Sequence, residues 1–423
     1  MRVKIALLLH LYQPVTQSEE VFRRVYADSY APLIKKISKT KNISVSIDLP
    51  LSLLEQMDRY GYQSWIADVK ELVRLEKLEI VGSAAYHPLL SKLPKNIIEK
   101  QVILNEYGIG YYFGDLQNLE GESAVLLRDV VGFFPPEVSV NERVLSVLDS
   151  LGYKWMIIDE SSIPFDLNYQ HKHGVYQFKD YSAKLVCRNR SFSNMLSFKR
   201  DLDVEEITDA LRFFKANDKS FAVVMDGEFF GHHYGEGFLV FDKLIESGQV
   251  LDIEFSTVSS YVEDEAPVLL KDFVEASWGA SDQDMSEGTN YPMWCDPSNE
   301  IHKLQWDLID TVLSFYKDDY FMTEVEDYAT LPIWKAEGLS QISNSVLRKK
   351  VAKEVLLQKS LHSDQFWWAS KKTLPAGEFL YDPNMIRKGL QVIENFVELY
   401  FGGKDLALVQ EKIARIKSVL EES

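Results

Sequence analysis

Ser220-Phe221-Ala222-Val223-Val224-Met225 is a short, β-rich apolar run that ends abruptly at Asp226-Gly227-Glu228-Phe229-Phe230-Gly231-His232-His233. A run of this kind, bounded by polar residues, reads as an interior strand of a parallel sheet. The acids and imidazoles behind it then stand where a buried strand reaches solvent, the place where a barrel enzyme keeps its chemistry. Val130-Val131-Gly132-Phe133-Phe134-Pro135-Pro136-Glu137 has the same form and again brings an acid to the carboxyl end of an apolar run. The two segments supply a carboxyl pair, the usual equipment for cleaving a glycosidic bond.

Working outward, short apolar runs alternate with amphipathic segments up to about residue 260, the pattern of β/α units around a parallel sheet. The expected strands are Val3 to His10, Ile43 to Asp48, Leu78 to Ala84, Val130 to Phe134, Tyr153 to Ile158, Phe221 to Met225 and Leu251 to Phe255. This predicts an α/β fold, a seven-stranded (β/α) barrel of the incomplete TIM type, over residues 1–265. Beyond it, helical patterns dominate at Asn299 to Tyr316, Ser345 to Ser370, Met385 to Phe401 and Lys404 to Leu420. Residues 266–423 are therefore expected to form a C-terminal helical domain, with a loop from Ser277 to Pro297 completing the active site. That loop is rich in Gly, Ser, Asp and Pro yet holds Trp278 and Trp294.

The bulk properties narrow the function. With 423 residues, 46% hydrophobic and 26% charged, the composition is that of a globular protein able to bury a large core. A formal net charge of -18 argues against nucleic acid, because phosphate binding depends on concentrated positive charge. Cys187 and Cys295 are too few for a disulfide framework and form no Cys-x-x-Cys motif, so a reducing, cytoplasmic setting is expected. Met1-Arg2-Val3-Lys4 and the apolar residues after it look like a short leader, but they run into His10-Leu11-Tyr12-Gln13-Pro14 with no small-residue cleavage site and read instead as a first strand. No segment approaches the roughly 20 apolar residues that cross a membrane.

In a parallel barrel the carboxyl ends of the strands share one face, so residues distant in sequence converge there. His10 and Gln13, then Tyr86-His87-Pro88, Glu137, Asp159-Glu160, and Asp226 through His233 collect at those ends. Asp159 and Glu160 read equally as a helix cap or a solvated turn. Glu137 is harder to dismiss, because Phe133-Phe134-Pro135-Pro136 gives it an apolar approach in which an idle acid is costly. Carboxyls about 5–5.5 Å apart suit a retaining mechanism, with burial and mutual repulsion keeping one of them protonated near neutrality.

With these motifs in order, the chain resembles glycoside hydrolase family 57, whose members act on α-glucans as α-amylases, amylopullulanases, 4-α-glucanotransferases and branching enzymes. His10-Leu11-Tyr12-Gln13-Pro14 is similar to the first motif of that family, and Gly82-Ser83-Ala84-Ala85-Tyr86-His87-Pro88 to the second. Gly132 to Glu137 resembles the third, and Asp226 to His232 the fourth. The resemblance implies that Glu137 is the nucleophile and Asp226 the general acid/base. It further implies that His10 and His87 line the subsite of the reacting sugar, with no metal and no cofactor. Gln13, Glu228 and His232 lie in the same motifs and are expected to bind substrate. The first motif often carries a second His where this chain has Tyr12, and Trp278 or Trp294 fits the poorly defined fifth motif. The resemblance is specific over the first three fifths of the chain.

Leu361-His362-Ser363-Asp364-Gln365-Phe366-Trp367-Trp368-Ala369-Ser370 is a polar and aromatic cluster in the helical part. Adjacent Trp residues on a helix point about 100° apart, so Trp367 and Trp368 divide between core and cleft, where a Trp face stacks on a sugar ring. Two other readings compete. A polysaccharide deacetylase-like barrel would use His10, His87 and Asp226 to hold a divalent ion, although their spacing matches no compact metal motif. A non-catalytic glucan-binding protein would not need the two acids.

Overall fold

The computed structural model describes residues 2–114, 130–164, 174–316, 331–373 and 380–422. The strands are β1 Lys4–His10, β2 Val45–Asp48, β3 Leu78–Val81, β4 Gly132–Phe133, β5 Trp155–Ile158, β6 Gly174–Phe178, β7 Lys184–Cys187, β8 Phe221–Asp226, β9 Glu254–Ser256 and β10 Val268–Leu270. β3, β2, β1 and β8 lie side by side in parallel, and β4, β5 and β7 form a second parallel run. Parallel bridges from Gly82 to Phe133 and from Arg188 to Ala222 join the two runs at both edges. Among the described residues the result is a barrel of seven staves, the number expected from the apolar runs.

One stave differs from expectation. The run Leu251 to Phe255 yields only β9, which pairs with β1 at Lys4 to Ala6 and bridges Ile43 through Phe255. It is a wedge between the amino ends of β1 and β2. The seventh stave is β7, a four-residue strand that opens on Lys184 and gives way to Arg188, too short and too polar at its ends to stand out. β6 runs antiparallel along β7 and β10 extends β6, so β7 and β8 meet only near the Arg188 bridge. This leaves the barrel incomplete on that side.

The barrel interior follows from the period of two along each strand. Ala6 and Leu8 of β1, Trp155 and Ile157 of β5, Val186 of β7, and Ala222 and Val224 of β8 fill it. Their alternates, such as Leu7, Leu9, Val223 and Met225, face the surrounding helices.

The later helices are Glu300–Phe315, Ser345–Ser360, Pro383–Tyr400 and Gly403–Glu422. They share one apolar cluster with helices Lys95–Phe113 and Glu142–Ser150 of the barrel, where Leu357, Ile393, Val397 and Ile416 meet Ile97, Val102 and Leu148. A buried Lys100–Glu354 pair at 3.1 Å adds a polar tie between the two regions. The single helix expected from Ser345 to Ser370 is broken at Leu361–Ser363 and resumes as a short turn, Asp364–Trp367. The break occurs because Ser363 N–H donates to the carbonyl of His87 at 2.9 Å instead of continuing the helix. Among the described residues, no helix is long and apolar enough to cross a membrane.

β4 passes very close to β5. A Cβ on Gly132 would stand 1.9 Å from Trp155 Cζ2. Gly132→Ala is therefore expected to destabilise the barrel by about 1–3 kcal/mol through overpacking, read as a lower midpoint in urea unfolding followed by circular dichroism.

Candidate active site

The interior faces of the staves end in polar groups. His10 follows Ala6 and Leu8 on one face, Asp226 follows Ala222 and Val224, Arg188 follows Val186, and Asp159 follows Trp155 and Ile157. On β2, Ser46 precedes Asp48 in the same way. Register sets His10 level with Asp48 on one side and Asp226 on the other. The period of two that packs the barrel thus also loads its mouth with ionisable groups.

A buried chain of hydrogen bonds starts at Asp48. Its oxygens lie 3.0 and 2.9 Å from His10 Nδ1, and His10 Nε2 lies 3.1 Å from His87 Nε2. His87 Nδ1 is 3.0 Å from Ser363 Oγ, which is 2.9 Å from Glu137 Oε1. The other oxygen of Glu137 accepts from Trp278 Nε1–H at 3.0 Å. Tyr12 stacks on His87 with ring centroids 4.0 Å apart, its hydroxyl donating to Asp364 and its backbone N–H to Glu228.

Backbone strain holds this arrangement. His87, Glu137 and Val138 have φ of 54°, 59° and 46°, in the left-handed region that costs a non-glycine residue of order 1–3 kcal/mol. Glu137 is fixed in its turn from both sides, since Trp278 N–H donates to its carbonyl and Val138 N–H to that of Pro135. The Trp278 loop is pinned in turn by the paired backbone bonds of Val140 and Ala276.

Burial and charge set the proton positions. Burial would strip the charge from His10, but Asp48, helped by Asp226 and Glu228, raises it to about 9. His87 falls well below the ordinary imidazole value, first through burial and then through the charge of His10. Glu137 rises to about 8, chiefly by burial and then by the Asp364 carboxylate, against the Ser363 and Trp278 donors and the His10 cation. Burial and Asp226 also raise Glu228. Asp159 goes the other way, since Arg190 and Arg188 outweigh its burial and hold it below the usual carboxylate range.

The expected site residues separate into two groups. His10, His87, Glu137 and Trp278 are in mutual contact, and Asp226 is level with His10, half-buried, with its charge acting on Arg188. Glu228 and Gln13 line the same mouth through Tyr30, whose hydroxyl donates to Glu228 and accepts from Gln13 Nε2. His232 Nδ1 lies 3.6 Å from Asp28, and its backbone N–H donates to the carbonyl of Glu228. Trp294 is fully buried in the apolar core against Trp367, and Trp367 and Trp368 are both half-buried beside it. These four residues make no described contact with the two acids.

Sequence reasoning overlooked Asp48, Ser363, Asp364 and Arg188. Asp48 ends a β-rich run just as Asp226 does, and the same reading applied to it would have found it. Ser363 and Asp364 lie in the polar aromatic cluster, which had pointed to its Trp residues instead. Among the described residues, no group of three or more His, Cys, Asp or Glu side chains is arranged to hold a metal ion.

The sequence model of glycosyl hydrolase family 57 matches residues 4–272. An alpha-amylase 1 of Dictyoglomus thermophilum is 23% identical over 240 residues, 54% of this chain and 32% of that protein. The chain thus spans about a third of the length of that curated relative. Among solved structures, a 4-alpha-glucanotransferase from Thermococcus litoralis superposes with a TM-score of 0.64 at 17% identity, over 95% of this chain and 59% of that one. An exo-type maltose-forming amylase from Pyrococcus sp. ST04 gives a TM-score of 0.68 at 15% identity, over 97% and 83% of the two chains. Both likenesses concern the fold.

Trp278→Phe keeps the ring and removes the N–H that meets Glu137. The Glu137 carboxyl is then expected to titrate at higher pH than in the unaltered protein, measured by carbon NMR of side-chain-labelled glutamate with Glu137→Gln to assign the signal.

Proposed function

The chain belongs to glycosyl hydrolase family 57, and from that premise we propose that it cleaves or transfers α-linked glucose units of starch, glycogen or maltooligosaccharides by a retaining double displacement. The observation that carries this reading is the seating of Glu137, a carboxyl fixed in a left-handed turn with a donor on each oxygen, at the barrel mouth that Asp226 shares. The similarity to an alpha-amylase, and the shared fold with a 4-alpha-glucanotransferase and a maltose-forming amylase, support the substrate class.

In this reading Glu137 attacks the anomeric carbon. The glycosidic C–O bond breaks, and its electron pair leaves on the aglycone oxygen, which takes the proton of Asp226. Asp226, now a carboxylate, removes a proton from water or from a sugar hydroxyl. The oxygen so freed attacks the same carbon and expels the Glu137 carboxylate. Water gives hydrolysis and a sugar gives transfer. His10, His87, Gln13, Glu228 and Trp278 form the wall of the reacting subsite, while Trp367, Trp368, Trp294 and His232 contribute at most from further out. Residues 1–265 supply both acids, and residues 266–423 close the site through Trp278, Ser363 and Asp364. The two free cysteines, Cys187 and Cys295, support a reducing, cytoplasmic setting.

The nucleophile works as its carboxylate. Because Glu137 is raised to about 8, its reactive form is lost as pH falls below that value. The acid limb of kcat/KM is therefore expected near pH 8, far above the ordinary glutamate range.

Chromatography of products from maltoheptaose, amylose, glycogen and pullulan tests the proposal. Shorter products alone indicate hydrolysis, and longer or branched products indicate transfer. Asp226→Asn is expected to lower the rate by roughly 10²–10⁴-fold and Glu137→Gln to abolish it, with EDTA leaving the rate unchanged. Unchanged glucans with the unaltered protein, or loss of activity on chelation, would sink the reading.

A further inference from the structure

Each hydrogen bond in the chain from Asp48 to Glu137 has a direction, and the directions are coupled. His10 Nδ1 lies between the two oxygens of Asp48, so it bears a hydrogen and donates. The contact between His10 Nε2 and His87 Nε2 places two ring nitrogens 3.1 Å apart, and one of them must donate. If His10 is the imidazolium, its Nε2–H donates and His87 accepts. Neutral His87 must then carry its hydrogen on Nδ1 and donate to Ser363 Oγ. Ser363, with its oxygen so engaged, turns its own hydrogen to Glu137 Oε1. The opposite polarity runs from a protonated Glu137 through Ser363 into His87 Nδ1, which then carries its hydrogen on Nε2 and donates to a neutral His10.

We propose that Asp48 and Ser363 are positioning residues for Glu137: Asp48, through His10 and His87, polarises the chain so that Ser363 presents a donor to Glu137 and favours its carboxylate over the protonated form. This rests on the reading of Glu137 as the nucleophile. Three observations favour the stated polarity. Asp48 is completely buried and meets His10 with both oxygens, the geometry of a carboxylate facing a cation. Asp226 and Glu228 add negative charge around His10. At the other end, Trp278 Nε1–H can only donate, so Glu137 already accepts on Oε2 and is completed as a carboxylate by a second donor on Oε1. The charged and titratable groups that bear on Glu137 are His10, His87, Asp364 and Tyr12, with His362 acting on it through His87. Asp364 opposes ionisation, which makes an imposed donor on Oε1 consequential.

The chain also accounts for a residue that touches neither acid. Asp48 acts four hydrogen bonds away from Glu137, so Asp48→Asn shifts the protonation of Glu137 without removing a side chain from the wall of the cleft.

Nitrogen NMR of the histidine rings in the unaltered protein, at a pH between about 8 for Glu137 and about 9 for His10, tests the polarity without reference to activity. His10 should show both ring nitrogens protonated, and His87 a hydrogen on Nδ1 only. A neutral His10, or His87 protonated on Nε2, overturns the proposal, as does tight stoichiometric Zn²⁺ uptake that is lost in His10→Ala. The pH profile of kcat/KM on maltoheptaose tests the consequence. Asp48→Asn and Ser363→Ala should each move the acid limb up by about one pH unit, lowering kcat/KM roughly tenfold at pH 7 with KM little changed, and Ser363→Thr should restore it. An acid limb that stays in place in active Asp48→Asn protein overturns the proposal. Inactivity of the unaltered protein on every glucan would instead remove the glycosidase reading and leave the polarity to the NMR result.

Discussion

A carboxyl with only 12% of its side chain exposed, lying near another carboxylate, is costly unless donors meet it, and the architecture around Glu137 is the answer to that cost. Its two donors come from different regions of the chain, Trp278 from the loop after the barrel and Ser363 from a break in a late helix. Neither would be in place without backbone bonds made for the purpose. Trp278 N–H grips the Glu137 carbonyl, and Ser363 N–H grips that of His87. The helical region thus reaches the candidate site, where the Ser363 hydroxyl donates to an acid on the barrel. The strained φ values at His87, Glu137 and Val138 fit the same account, since a relaxed turn there would aim the side chains elsewhere.

The barrel contributes the other half of the design through its alternation. On β1, β2, β5, β7 and β8 the face that packs the interior is the face that ends in an ionisable group at the mouth, so the barrel core and the candidate site use the same faces one step apart. His10 shows this most directly. It continues the inward face of Ala6 and Leu8, and the parallel register sets it between Asp48 and Asp226. One residue of slippage between β1 and its neighbours would bury Leu9 and Leu11 at the mouth and turn His10 into the helical layer.

Much of this was legible in the sequence because it depends on local pattern. The run Phe221 to Met225 and the acid after it could be read as strand and site together, and so could the Gly132 to Glu137 segment. What escaped was decided by tertiary contact. β7 is four residues long and flanked by charge, and it becomes a stave only because β5 and β6 cover its edges. The Leu251 to Phe255 run reads as a strand and is one in part, but packing at the amino ends of β1 and β2 makes it a wedge. Ser363 lies in a segment with good helical pattern, and no local rule says that its N–H will go to His87 instead. The aromatic residues of that segment drew the eye, whereas Trp294 and its neighbours went to the core for the ordinary reason that large rings bury well.

Tyr12 shows how one departure from a motif is absorbed. The resemblance places a second histidine in many relatives where this chain has tyrosine. Here the ring stacks on His87, the hydroxyl reaches Asp364 and the backbone N–H reaches Glu228. An imidazole at that position would add a second titratable ring against His87, whose neutrality the hydrogen-bond chain requires. A phenol supplies the donor to Asp364 while remaining neutral, because burial and the Asp364 charge push its own ionisation well above the usual value. The cationic charge between Asp48 and Glu137 then resides on His10 alone. The tyrosine therefore ties the barrel to the helical region and leaves the charge pattern around Glu137 undisturbed.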